Sequence, residues 1–157
     1  MANLLEGKVC LVTGAAGGLG KAIAQAFLAA GARVILCDIN EERLKDTAEE
    51  LSALHPDKTI ALQTDVTKES AVERLFKESL DKCHRLDVLV NNAGLMDRFD
   101  PVGSTEKQEW DRVLAVNLTA PYLMSKAAVN QMLAQDLAGG TIINIASAAS
   151  LAGFRAG

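Results

Sequence analysis

The chain has 157 residues, 49% hydrophobic and 23% charged, with a formal net charge of −4. That length suits one domain rather than two, and it lets the fold bury about 70% of the surface the unfolded chain exposes. The mildly acidic balance lacks the basic stripe of a nucleic-acid or membrane-surface protein, and no run reaches the ~18 apolar residues of a membrane span.

Taken in chain order, the first segment, M-A-N-L-L-E-G-K, has no basic-then-apolar signal pattern, so the expected compartment is the cytosol. Five short apolar, β-branched runs then predict strands at Val9–Val12, Arg33–Leu36, Thr59–Leu62, Val88–Val90 and Thr141–Ile145. The runs are continuous rather than alternating, as parallel strands covered on both faces require. Helical stretches separate them at Leu19–Ala30, Glu41–Leu54, Ser70–Cys83 and roughly Gln108–Leu137. Leu44, Ala48 and Leu51 recur at helical spacing among charges, as do Val72, Leu75, Phe76 and Leu80. The alternation predicts an α/β fold, a Rossmann-like doubly wound parallel sheet ending at the fifth strand, in one domain over residues 1–157. The one loop of note is Leu95–Lys107, rich in Asp, Pro, Gly and Ser.

Cys10, Cys37 and Cys83 are widely spaced and form no Cys-x-x-Cys pair, and His55 and His84 lie in polar surroundings. Zinc would need closer ligands, so no metal site is expected, and the thiols in apolar runs read as small hydrophobes.

The first strand runs into T-G-A-A-G-G-L-G, Thr13 to Gly20, followed by a helix. Gly14, Gly18 and Gly20 allow a sharp turn and close backbone approach, and the helix N-terminus that follows favours a pyrophosphate. The spacing differs from G-x-G-x-x-G, and it is not a P-loop, since Lys21 is followed by Ala22. A turn of this kind also has a purely structural reading. Asp38 ends the second strand about 20 residues beyond Gly18, where a carboxylate accepts hydrogen bonds from an adenosine ribose. Neither Ala15–Gly17 nor Ile39–Asn40 offers a cation to offset repulsion of a 2′-phosphate, so NAD is favoured over NADP. The plain alternative for Asp38 is a solvated carboxylate beside a helix that Asn40 caps.

These motifs together resemble the short-chain dehydrogenase/reductase family over the whole sequence. Thr13–Gly20, with Leu19 inside it, resembles its cofactor motif, and Asp65-Val66 resembles the pair that meets the adenine. Asn91-Asn92-Ala93-Gly94 resembles its N-N-A-G motif, with Asn91, Ala93 and Gly94 expected near the cofactor. Asn117 in V-N-L-T resembles its helix asparagine, and Ser147 in I-I-N-I-A-S its active-site serine. The Asn91 amide is expected to bond neighbouring backbone and brace the sheet. Asn117 precedes Pro121 by four residues, so its carbonyl loses a helical donor and a kink is expected there, exposing that carbonyl to a water of the family's proton relay. A kink with only packing consequences is the other reading.

The resemblance implies hydride transfer between a nicotinamide cofactor and a small-molecule alcohol or ketone, with Asn117 and Ser147 catalytic. It also implies a parent protein that forms homo-oligomers. The family's catalytic Tyr-x-x-x-Lys follows the serine by somewhat more than a dozen residues, yet the sequence ends at Gly157, ten residues after Ser147. Tyr122 and Lys126 show the same spacing but precede Ser147. At 100° per residue Tyr122 points about 140° away from Asn117, so it is expected to pack rather than share a site. The expectation is therefore an enzyme in the parent protein and no turnover by the 157 residues alone. The alternative is a truncated, inactive fragment that binds a dinucleotide or a partner. The strand Thr141–Ile145 is expected to be an exposed edge.

Overall fold

The computed structural model describes residues 3–135, 139–148 and 151. Among these, the strands are β1 (Val9–Thr13), β2 (Arg33–Asp38), β3 (Thr59–Gln63), β4 (Val88–Asn91) and β5 (Thr141–Asn144). They form one sheet in the order β3-β2-β1-β4-β5, and every pairing is parallel. Helices α1 (Gly18–Ala29), α2 (Glu41–Leu54) and α3 (Glu69–Cys83) link the first four strands. Between β4 and β5 the chain forms α4 (Lys107–Leu114), a π-helical turn (Ala115–Thr119) and α5 (Ala120–Ala134).

Successive residues of a strand face opposite sides of the sheet. Val9, Leu11, Ile35 and Leu89 pack with α3 and α5, whereas Cys10, Val12, Val34 and Val90 pack with α1 and α2. Both faces are covered, which explains why β1 and most of β2 read as unbroken apolar runs. The cysteines are reduced and buried. Burial pushes the thiols of Cys10 and Cys37 up to about 12, so they remain neutral packing groups at physiological pH.

β1 and β4 extend one residue, and β2 two residues, beyond the apolar runs, so that Thr13, Asp38 and Asn91 are strand-terminal. The single helix expected over Gln108–Leu137 is interrupted, and its expected end falls outside the described residues. The Ala120 N–H bonds the carbonyl of Ala115, five residues back. Pro121, one residue on, has no N–H to restore α-helical bonding. A π-turn, a form that recurs at functional sites within longer helices, therefore stands where a kink was expected.

Candidate functional site

The strand order reverses direction between β1 and β4, and an open α/β sheet leaves a crevice at the carboxyl ends of its strands at such a point. The glycine-rich turn leaves β1 there and Asn92–Gly94 leaves β4 beside it. A cleft of about 1100 Å³ is lined by Leu19, Asn91, Ala93, Gly94, Asn117 and Ser147, among others. Six of the residues singled out from the sequence thus border one cleft.

Thr13 joins the two loops. Its Oγ1 accepts the N–H groups of Asn92 (3.0 Å) and Ala93 (2.9 Å). The Asn92 amide then donates to the carbonyls of Thr13 (2.9 Å) and Gly14 (3.2 Å). Close approach makes glycine necessary at two positions. Gly14 has φ +64°, and a Cβ there would lie 2.9 Å from Asn92 Nδ2. A Cβ on Gly20 would meet the Gly14 carbonyl oxygen at 2.1 Å. Gly18 opens α1, and no side chain caps that helix, whose first turn also carries no acidic residue. The N-terminal end of α1 is therefore an electropositive group of backbone donors facing the turn. Leu19, 56% exposed, stands at its mouth.

The backbone-bracing role expected of Asn91 belongs to Asn92. Asn91 lies on the same face as Leu89, toward α5, and its Nδ2 donates to side chains instead, Ser125 Oγ (3.1 Å) and Asn144 Oδ1 (2.8 Å). Asn91 thus ties α5 and β5 to the sheet, and Asn92, the next residue, turns toward β1. Ser125 and Asn144 carry no signal in the sequence, because only the packed sheet brings them to Asn91.

Asp38 is not a freely solvated carboxylate. One oxygen accepts the Ala16 N–H (3.0 Å) and the other accepts the Asn40 N–H (2.9 Å). Asn40 caps α2 as expected, its Oδ1 accepting the Arg43 N–H at 2.9 Å. A carboxylate offers about four acceptor positions, so two remain for a ligand's hydroxyls. Asp65 is also engaged, accepting both the N–H (3.0 Å) and the hydroxyl (2.6 Å) of Thr67. Val66 is 9% exposed and belongs to the core on the α3 side. These contacts close the turn between β3 and α3.

Asn117 grips the loop after β4. Its Oδ1 accepts the Leu95 N–H (3.0 Å) and its Nδ2 donates to the Leu95 carbonyl (2.8 Å). Gly94 passes directly beneath, since a Cβ there would lie 3.4 Å from Asn117 Oδ1. Arg112 continues the grip with a hydrogen bond to the Met96 carbonyl (3.3 Å) and a bidentate pairing with Glu109. Ser147 lies three residues beyond β5 and lines the same cleft.

Two expectations are corrected. Tyr122 and Asn117 border the same cleft, because the π-turn between them ends the count of 100° per residue. Tyr122 is 61% exposed rather than packed, and Lys126 of the same helix pairs with Glu69 at 3.0 Å. Second, a cation does stand beside the glycine-rich turn. Arg43 Nη2 occupies the place where a side chain at Gly17 would begin, 2.5 Å from a Cβ built there. It comes from the first turn of α2, too far along the sequence to be read as part of the turn.

Fold and crevice define a Rossmann-like, doubly wound α/β protein. Residues 8–157 match the short chain dehydrogenase family. A short chain dehydrogenase/reductase of Gibberella zeae is 56% identical over 98% of this chain and 56% of its own length. One of Macrophomina phaseolina is 50% identical over 99% of this chain and 89% of its own length. A crystal structure of a short chain dehydrogenase from Mycobacterium smegmatis superposes with a TM-score of 0.93 at 41% identity, over 98% of this chain and 64% of that one. The chain belongs to the short-chain dehydrogenase/reductase family, an oxidoreductase family that uses NAD or NADP and acts on small molecules. It spans little more than half the length of the Gibberella relative and most of the Macrophomina one.

Proposed function

We propose that this chain carries the dinucleotide site and part of the catalytic site of an NAD(H)-preferring dehydrogenase/reductase for an alcohol or ketone. The observation that carries this reading is the meeting of the Thr13–Asn92 clamp, the uncapped α1 terminus and Asp38 around one crevice. Their chemistry fits a dinucleotide. The α1 backbone donors suit a pyrophosphate, and the Asp38 carboxylate suits the hydroxyls of a ribose. Asp65, Val66, Asn91, Ala93 and Gly94 would border the adenine and nicotinamide ends. When bound, the cofactor supplies or accepts a hydride.

The remaining work falls to the chain. The Ser147 hydroxyl would donate a hydrogen bond to the substrate oxygen and hold it in the cleft. The Asn117 side chain is spent on Leu95, so its part in moving a proton falls to its backbone carbonyl, to which Pro121 cannot donate. A water held there would connect the cleft to solvent.

Calorimetric titration of the chain with NADH tests the site directly. We expect saturable binding that Gly20→Ala abolishes. Failure to bind either NADH or NADPH would overturn the reading.

A further inference from the structure

Resting on the dinucleotide reading above, we propose that Glu109 is a positioning residue for the nicotinamide and substrate end of the cleft, acting through Arg112 on the backbone of residues 95–98. The first observation is burial. Glu109 is 6% exposed and stands in the first turn of α4. A carboxylate in that turn gains from the helix dipole while remaining in water. The dipole therefore does not require its burial, and a carboxylate out of water needs partners that hold it.

The second observation is the set of partners. Arg112 donates from Nε to one Glu109 oxygen (2.9 Å) and from Nη2 to the other (2.6 Å). The same Nη2 donates to the Met96 carbonyl (3.3 Å). Arg98 approaches the carboxylate from the loop at 3.8 Å. The hydrogen bonds from Arg112 hold the Glu109 carboxyl below the usual carboxylate range, so it is ionised at neutral pH. A paired fork of this kind fixes the plane of the guanidinium, and with it the donor offered to Met96.

The third observation is where the held segment lies. Leu95 and Met96 line the cleft together with Ser147, whereas Asp38 and Asp65 do not. The segment therefore borders the reacting end of a dinucleotide rather than its adenine end. Among the described residues, the polar ties of residues 95–98 to other elements come from the side chains of Asn117, Arg112 and Glu109. Asn117 fixes Leu95. The next residue, Met96, has an exposed side chain, so its place depends on the Arg112 bond to its carbonyl. Neither Glu109 nor Arg112 lines the cleft, and both act by setting its wall.

Calorimetric titration of the full chain with NADH and with ADP-ribose, which lacks the nicotinamide ring, tests the assignment in wild type, Glu109→Gln, Arg112→Ala and the double variant. Glutamine keeps the size of glutamate but turns one acceptor into a donor facing Arg112. Glu109→Gln should weaken NADH about tenfold and ADP-ribose less than about twofold. Arg112→Ala should do the same, and the double variant should bind no more weakly than either single one, because the pair acts as a unit. Arg112→Lys, which keeps the charge, should recover part of the loss. Equal weakening of both ligands, unchanged NADH binding, or additive effects in the double variant would overturn the role of Glu109 and leave the dinucleotide site standing. A wild type that binds neither ligand would overturn both readings. The Arg112 side chain is nearly half exposed, so Arg112→Ala carries the same comparison should Glu109→Gln fail to fold.

Discussion

Thr13 shows how one side chain organises the crevice. Its hydroxyl donates toward the Val90 carbonyl (3.3 Å) while accepting the Asn92 and Ala93 N–H groups. Valine has the same shape and cannot accept, so Thr13→Val leaves two half-buried donors without partners. We expect a loss of about 2–4 kcal/mol in stability, read from the midpoint of urea unfolding. Asp87, 7% exposed, plays a similar part at the opposite end of the sheet. Burial pushes its carboxyl upward, but hydrogen bonds from Arg85, the Val9 N–H and Lys8 outweigh it and hold the pKa below the ordinary 3.8. A carboxylate with a depressed pKa stabilises the fold fully above its unfolded-state value and loses that contribution as pH falls through the folded value. Asp87→Asn should therefore cost about 2 kcal/mol near neutral pH, and the gap from wild type should narrow on acidification below pH 3.8.

At the scale of elements, the glycine-rich turn and the π-turn are the two irregular pieces that make the crevice. Gly20→Ala would drive a Cβ into the Gly14 carbonyl, a backbone atom that cannot step aside without opening the Thr13–Asn92 clamp. We expect a loss of about 2–3 kcal/mol in stability, within the range for overpacking, together with the loss of NADH binding. The π-turn presents Asn117 to Leu95 so that its amide mimics a strand partner for the loop. Asn117→Ala should release that loop. Amide exchange at Leu95 would then accelerate about tenfold, while β1 and β2 stay protected.

For the whole molecule, the sheet is covered on both faces around β1 and β2 and thins toward β5. β5 pairs with β4 on one side, and among the described residues no strand pairs with its other side. Ile143 and Ile145 are 38% and 41% exposed there, and Tyr122 and Leu133 of α5 are exposed as well. An apolar strand edge is a template for pairing with another chain. Light scattering of the 157-residue chain should show concentration-dependent association, and Ile143→Lys should reduce it without altering the circular dichroism spectrum. Unchanged association in that variant would place the contact elsewhere.

The sequence by itself determined the alternation of strands and helices, because apolar runs long enough for two buried faces admit little else than a parallel sheet. It also determined the glycine-rich turn and the position of Asp38, since both depend on residues near one another along the chain. Thr13 and Asp38 end β1 and β2, and Gly14 opens the turn with a positive φ. What only the tertiary structure decided was which groups meet across the sheet. Asn91 and Asn92 are neighbours of identical chemistry, and strand alternation sends one to Ser125 and Asn144 and the other to the β1 carbonyls. The π-turn moved Tyr122 onto the cleft that it was expected to miss. Arg43 reached Gly17 from another element, placing a cation where the local sequence holds none. Hydrophobic periodicity and turn chemistry are short-range, and so are legible along the chain. The pairing of polar side chains across β1, β4 and α2 depends on the register with which the elements dock, which exists only in the assembled fold.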